Sequence, residues 1–181
     1  SPLPSLSEIV GQHVGLDDFL ISPLADLDVL TPAAMTLEEG AYAEMYFERV
    51  LAFVQSAGAG YRFVIFDTAS GMPPETQRLL NVVDGVILLS TSELASIADA
   101  YALVKLLHSA GARAEIGLLP SMVSSSHEAG ELQQKFNLLV EKFLKRRVHK
   151  WGHLPFDEKL PAAAAQGKLL WDTAERSPYL L

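Results

Sequence analysis

Asp67 closes the apolar, β-branched run Tyr61-Arg62-Phe63-Val64-Ile65-Phe66 and is followed by Thr68-Ala69-Ser70-Gly71. A carboxylate and a hydroxyl set where such a run stops are placed to meet a ligand, because open α/β sheets bind ligands beyond the carboxyl ends of their strands. The competing local reading is an Asp that caps the following turn through its own backbone. Glu93 and Asp99 either face a ligand or partner or simply belong to a helix start. His149 and His153, with Trp151 between them, would share one face of a strand, but two imidazoles without a third ligand do not make a zinc site. His13, His108 and His127 have no such neighbours in the pattern and are read as surface residues. Lys142, Lys145, Arg146, Arg147 and Lys150 form the one basic cluster. It is read as a solvated helix end favoured by the macrodipole, ahead of a surface for anionic lipid.

The elements that must position these groups alternate. Asp84-Gly85-Val86-Ile87-Leu88-Leu89-Ser90-Thr91 echoes the run ending at Asp67, and both read as strands of a parallel sheet covered on both faces. Ala114–Leu119 reads as a third strand and Val148–Leu154 as a fourth, with Leu27–Leu30 a brief earlier one. Ser121–Ser126 reads as a polar loop. Capping-box spacing at Ser5-Leu6-Ser7-Glu8 opens a short helix to about Val10, and Leu16–Leu20 reads as another helical turn. Thr36-Leu37-Glu38-Glu39 caps a helix in which Tyr42, Met45, Tyr46, Val50, Phe53 and Val54 recur at three and four residues, ending near Gly58. Further helices are expected from Glu75 to about Val82, from Ser96 to Ser109 with Gly111 closing it, from Ser126 to about Arg146 capped by Ser125, and near Pro161–Ala165. This order predicts an α/β fold, a doubly wound, mostly parallel sheet with helices on both faces, in one domain over residues 1–181.

Composition bounds the function. The 181 residues contain no cysteine, which excludes a disulfide scaffold and thiolate metal sites and favours a reducing, cytoplasmic setting. Fourteen basic against 22 acidic residues leave a net charge of −8, which repels polyanions and argues against nucleic acid as a direct partner. Mean hydropathy is +0.20, yet no uninterrupted apolar run reaches membrane-helix length, so membrane contact would be peripheral only. The opening Ser1-Pro2-Leu3-Pro4 reads as a processed or truncated start.

Three motifs, in order, resemble the MinD and FlhG (FleN) branch of the deviant Walker A, ParA/MinD-type P-loop ATPases. Asp67-Thr68-Ala69-Ser70-Gly71 is similar to that family's switch II segment. Thr91-Ser92-Glu93-Leu94-Ala95-Ser96-Ile97-Ala98-Asp99-Ala100-Tyr101 resembles its Thr-Pro-Glu-x-x-Ser-x-x-Asp-Ala-Tyr segment. Gly152-His153-Leu154-Pro155-Phe156-Asp157 resembles its Gly-x-Ile-Pro-x-Asp segment near the adenine. The resemblance implies a P-loop NTPase-like fold and ATP or ADP with Mg²⁺ as cofactors. It places Asp67, Thr68, Gly71, Ser121, Pro155 and Asp157 at the nucleotide, with Asp67 also serving the metal. Its implied role is a switch protein for the spatial or numerical regulation of flagella or cell-division machinery, with a protein partner and self-association.

The chain also departs from that pattern. No Lys-Gly-Gly-x-Gly-Lys-Thr loop occurs in these 181 residues, and Ser121, preceded by Pro120, stands where the family carries Asn. The first strand, phosphate loop and first helix are therefore expected to be missing from the domain. Two readings follow: an ATPase-family protein present as a fragment or variant without its Walker A loop, or a complete non-hydrolysing relative kept as a protein-interaction module. On either reading this chain alone is expected to be catalytically inactive. With the phosphate-loop strand absent, strand 61–66 is expected to pair with a second copy, or else residues 1–35 fill the vacant place.

Overall fold

The computed structural model describes residues 20–30, 40–68 and 74–168. The readings made at Ser5–Val10, Thr36–Glu39, Gly71 and Trp171–Leu181 lie outside them. The chain divides into two compact units between Ala69 and Ser70.

The second unit is an α/β sandwich of one sheet and the helices that cross over it. In chain order it contains α2 (Pro74–Leu79), β3 (Gly85–Ser90), α3 (Leu94–Ser109), β4 (Glu115–Val123), α4 (Ser126–Leu144), β5 (His149–Lys150), β6 (Leu154–Pro155) and α5 (Lys159–Ala165). β4 is central, pairing with β3 on one side and with β5 and then β6 on the other, and every pairing is parallel. The mostly parallel α/β sheet expected from the alternation of elements is thus present. The core lies between the sheet and the two long helices. Ala100, Val104 and Leu107 of α3 and Phe136 and Val140 of α4 close over Leu88, Ile116 and Leu118. Their spacing of three and four residues puts each set on one helical stripe.

Each helix stops or starts for a local reason. Ser125 Oγ accepts from Glu128 N at 3.2 Å and opens α4, while Lys145 at φ 54° ends it. Gly111, at φ 69°, terminates α3 in a conformation that costs glycine little, and the Ala112 N–H reaches back to the Leu107 carbonyl at 3.1 Å.

The sheet departs from the sequence expectation in three places. β4 continues through Pro120 to Val123, where a polar loop was expected from Ser121, because the segment following β5 supplies it with a partner: Ser121 stands opposite Leu154 and Val123 opposite Pro155. The expected strand Val148–Leu154 is split into β5 and β6. Leu118 to Ser121 is three steps along β4 while Lys150 to Leu154 is four along its partner, so an extra residue is accommodated there, with Gly152 at φ 121°. Burial of β3 on both faces is met on one: Leu88 and Ser90 are buried, whereas Ile87 and Leu89 on the other face are 55% and 57% exposed.

The first unit contains an antiparallel hairpin, β1 (Leu20–Leu24) with β2 (Leu27–Leu30), then helix α1 (Gly40–Ala57) and a 3-10 turn, Gly58–Gly60. The helical turn expected at Leu16–Leu20 is corrected at its only described residue, since Leu20 begins β1. The run 61–67, expected to be a strand, belongs to none: Phe63 is 73% and Ile65 81% exposed. β-branched composition favours extended chain, but a strand needs a neighbour to satisfy its N–H and C=O groups, and among the described residues none pairs with this run. The hairpin does not take that place. Its strands pair with each other, and the Tyr61 hydroxyl of the run donates to its Asp28 Oδ2 at 2.6 Å. None of the residues of this unit whose side chains are described is buried.

Candidate functional site

Because β3, β4 and β6 are parallel, their carboxyl ends share one edge, and Ser92, Ser121 and Asp157 meet there. Ser92 lies two residues past β3, Ser121 opposite Leu154, and Asp157 two residues past Pro155. Pro155 sits in β6 opposite Val123. Met122 adopts φ 57°, unusual for a side chain with a Cβ, and its side chain is 59% exposed at this edge. Asp67 and Thr68 are exposed at the end of the run that begins at Tyr61, in the other unit. Gly71 lies outside the described residues.

Hydroxyls organise the edge. The Thr91 N–H donates to Ser96 Oγ at 2.9 Å, and Ser96 and Ser90 share a hydroxyl contact of 3.2 Å. Ser96 thereby closes the turn between β3 and α3. Asp157 is 9% exposed and its Oδ1 accepts from Lys159 N at 2.9 Å, holding the start of α5. The capping role weighed for Asp67 is thus seen at a different residue, Asp157.

Glu128 is the functional group that the sequence reading missed at this edge. Its capping-box spacing to Ser125 was legible, but the carboxylate turns to other donors. Oε2 accepts from Ser124 N at 2.8 Å and Ser124 Oγ at 2.6 Å, and Oε1 accepts from Ser92 Oγ at 2.8 Å. The β3–α3 and β4–α4 loops are joined through this one side chain. The Ser124 hydroxyl first, then its N–H, then the Ser92 hydroxyl hold the Glu128 carboxyl down at about 2. No pattern in one sequence marks a contact between residues 36 apart.

The fit of a nucleotide to this edge divides along the ligand. Loops 91–93, 121–125 and 156–158 offer hydroxyls, carboxylates and backbone groups suited to a base and a ribose. They carry no Lys or Arg, and Glu93, Glu128, Asp157 and Glu158 make the edge negative, so phosphates do not fit here. Among the described residues no group of three or more His, Asp or Glu is placed to hold a metal. His149 lies in β5, whereas His153 follows Gly152 and precedes β6, so the two do not share one face of a strand.

No protein-family model matches the chain. It is 23% identical over 177 residues to the antiactivator FleN of Pseudomonas aeruginosa, covering 98% of this chain and 63% of that relative's length. In fold it is similar to the cell division ATPase MinD of Pyrococcus furiosus, with a TM-score of 0.72 at 14% identity over 98% of this chain and 71% of the other. A ParA family ATPase from Chlorobium tepidum superposes with a TM-score of 0.69 at 20% identity, over 95% of this chain and 69% of the other. Sequence similarity to FleN along nearly the whole chain and agreement of fold with MinD and a ParA family ATPase meet on the proteins that the motifs singled out, and the chain is similar to the MinD and FlhG branch of the ParA-type ATPases.

Proposed function

We propose that the protein is a MinD/FlhG-type switch protein that regulates the number or placement of flagellar or cell-division machinery through a protein partner. The observation that carries this reading is the similarity to an antiactivator, FleN, over 98% of the chain, with the family's motifs in order. The carboxyl edge supports a nucleotide-linked role in part. Ser121, Pro155 and Asp157 would meet the base and ribose, and Asp67, Thr68 and Gly71 would serve the phosphates and Mg²⁺. A cytoplasmic location fits the absence of cysteine. Among the described residues no helix is long and apolar enough to cross a membrane.

The test is disruption of the gene in its source bacterium, with flagella counted and septum positions measured. Altered number or placement, restored by the wild-type gene, supports the reading; unchanged cells in both respects overturn it. A second reading, an interaction module that binds its partner without nucleotide, is favoured by the lack of phosphate-binding cations in the described edge loops. Complementation by Asp67→Ala at wild-type level would favour it.

A further inference from the structure

At the opposite, amino edge of the sheet, where β4 and β5 begin, a hollow of about 130 Å³ opens between the α3–β4 and α4–β5 connections. Its floor is apolar, formed in part by the buried side chains of Val104 and Val148. Its walls are cationic. Arg113 approaches from one connection and Arg146 and Arg147 from the other, with His149 beside them. Three arginines and one acidic residue, Glu115, line the hollow, and with Arg147 paired to Glu141 the lining keeps a positive excess in a chain whose net charge is −8.

A solvated helix end accounts for Arg146 and Arg147, which follow α4, but not for Arg113, which comes from another element and converges on the same space. Nor are the cations consumed by structure. Arg147 is tied to Glu141 at 2.5 Å, which orients it, while Arg113 and Arg146 make no ion pair among the described residues. A water needs roughly 10–15 Å³ of such space, so the hollow has room for a compact polyatomic ion. Arginines that line one space from two different connections suit a tetrahedral oxyanion, whose acceptors point several ways, better than a planar carboxylate.

We propose that this hollow binds a compact phosphate-class oxyanion, presented by a soluble phosphate ester or by a lipid headgroup. The site is separate from the carboxyl edge and does not depend on the role proposed there. The test titrates the full chain with inorganic phosphate and with glycerol phosphate at constant ionic strength, using chloride as reference and calorimetry as readout. Saturable binding is expected, weakened at least tenfold in Arg113→Gln/Arg146→Gln and less in Arg113→Lys/Arg146→Lys. Lys105→Gln/Lys135→Gln, an equal charge change at residues that do not line the hollow, should stay within twofold of wild type. Absence of a saturable phosphate effect beyond chloride, or equal weakening in the control pair, overturns the proposal. Cosedimentation with phosphatidylcholine vesicles with and without phosphatidic acid assigns the source: arginine-dependent binding only to the anionic vesicles identifies a headgroup, and glycerol phosphate binding without vesicle binding identifies a soluble ester.

Discussion

The Ser92 hydroxyl donates to Glu128 Oε1 at 2.8 Å, and through that bond the loop after β3 is fastened to the loop after β4. The second carboxylate oxygen takes both the Ser124 N–H and the Ser124 hydroxyl, so one exposed side chain fixes the spacing of two loops at the candidate site. Since these bonds favour the ionised form, the folded-state value lies near 2 against the usual 4.5. A depressed folded value means that the clasp contributes fully above 4.5 and is lost as pH falls through that window toward 2. Amide exchange at residues 91–93 and 123–125 should therefore accelerate over this range. Glu128→Gln should show the fast exchange already at neutral pH, and unchanged exchange in that variant would rule out the clasp.

A second consequence concerns Trp151, whose indole lies directly over Gly117 of β4. A Cβ added at Gly117 would overlap the ring, and one added at Gly85 of β3 would come within 2.8 Å of it. Glycine is required at 117 by close approach rather than by backbone angle. Gly117→Ala should displace the indole and cost about 1–3 kcal/mol, the usual range for overpacking. Tryptophan fluorescence should shift to the red and denaturant midpoints should fall together; either one staying at its wild-type value counts against the contact. Trp171→Phe as background removes the other tryptophan.

At the start of β5, Asn137 does for Val148 what a neighbouring strand would do. Its Oδ1 accepts the Val148 N–H at 2.8 Å and its Nδ2 donates to the Val148 carbonyl at 3.1 Å. Asn137→Ala leaves the Val148 N–H without that acceptor beside a buried side chain and should cost about 1–3 kcal/mol. Gln133 also donates to that carbonyl, at 3.0 Å, but its Oε1 is buried without a partner. Because the carbonyl keeps Asn137, Gln133→Leu should change stability by less than about 1 kcal/mol, removing an unsatisfied acceptor together with one bond. Urea unfolding of the two variants checks the order, and a larger loss in Gln133→Leu would reverse it.

These contacts show which parts of the molecule the sequence made legible. The helices were legible because Ala100, Val104 and Leu107, or Phe136 and Val140, recur at helical spacing, and because Ser125 and Gly111 mark their ends locally. β3 was legible from its apolar run between Asp84 and Thr91. The extension of β4 past Pro120 was not, because proline and serine read as a turn and only a distant partner, Leu154–Pro155, makes them a strand. Asp67 shows the converse: its run has strand composition but, among the described residues, lacks the neighbour that would make it one. At the site, single residues such as Ser121 and Asp157 were named from their motifs, while the Glu128 clasp depends on a tertiary meeting that no local spacing encodes.

The 181-residue chain is expected not to hydrolyse ATP. Phosphoryl transfer is accelerated mainly by positioning the phosphates and neutralising their charge, and the described edge loops carry no cation to do either. Incubation with ATP and Mg²⁺ should release phosphate at the buffer rate. Steady release that survives repurification and disappears in Asp67→Ala would overturn this.

The run 61–66 is expected to make the protein self-associate. Phe63 and Ile65 alternate on one side of extended chain and are 73% and 81% exposed, with Val64 at 44% between them. Residues 62–66 join no strand among the described residues, and a backbone flanked by such side chains is a template for another strand, which soluble proteins ordinarily blunt with charge or proline. Arg62 is the only charged residue in the run, and its guanidinium sits 5.3 Å from the Phe63 ring centre, where it covers one ring without interrupting the backbone. Tyr61 is pinned by Asp28 and so fixes one end of the run. Pairing with the same run of a second copy would satisfy both backbones and bury both apolar sides at once, as an isologous interface does. Light scattering should give a concentration-dependent mass approaching twice the 19.7 kDa of the chain. Phe63→Lys/Ile65→Lys, which leaves Tyr61 and its bond to Asp28 in place, should hold the mass at one chain. A single-chain mass for the unaltered protein at every concentration, or an undiminished dimer in the double variant, would remove this run as the interface.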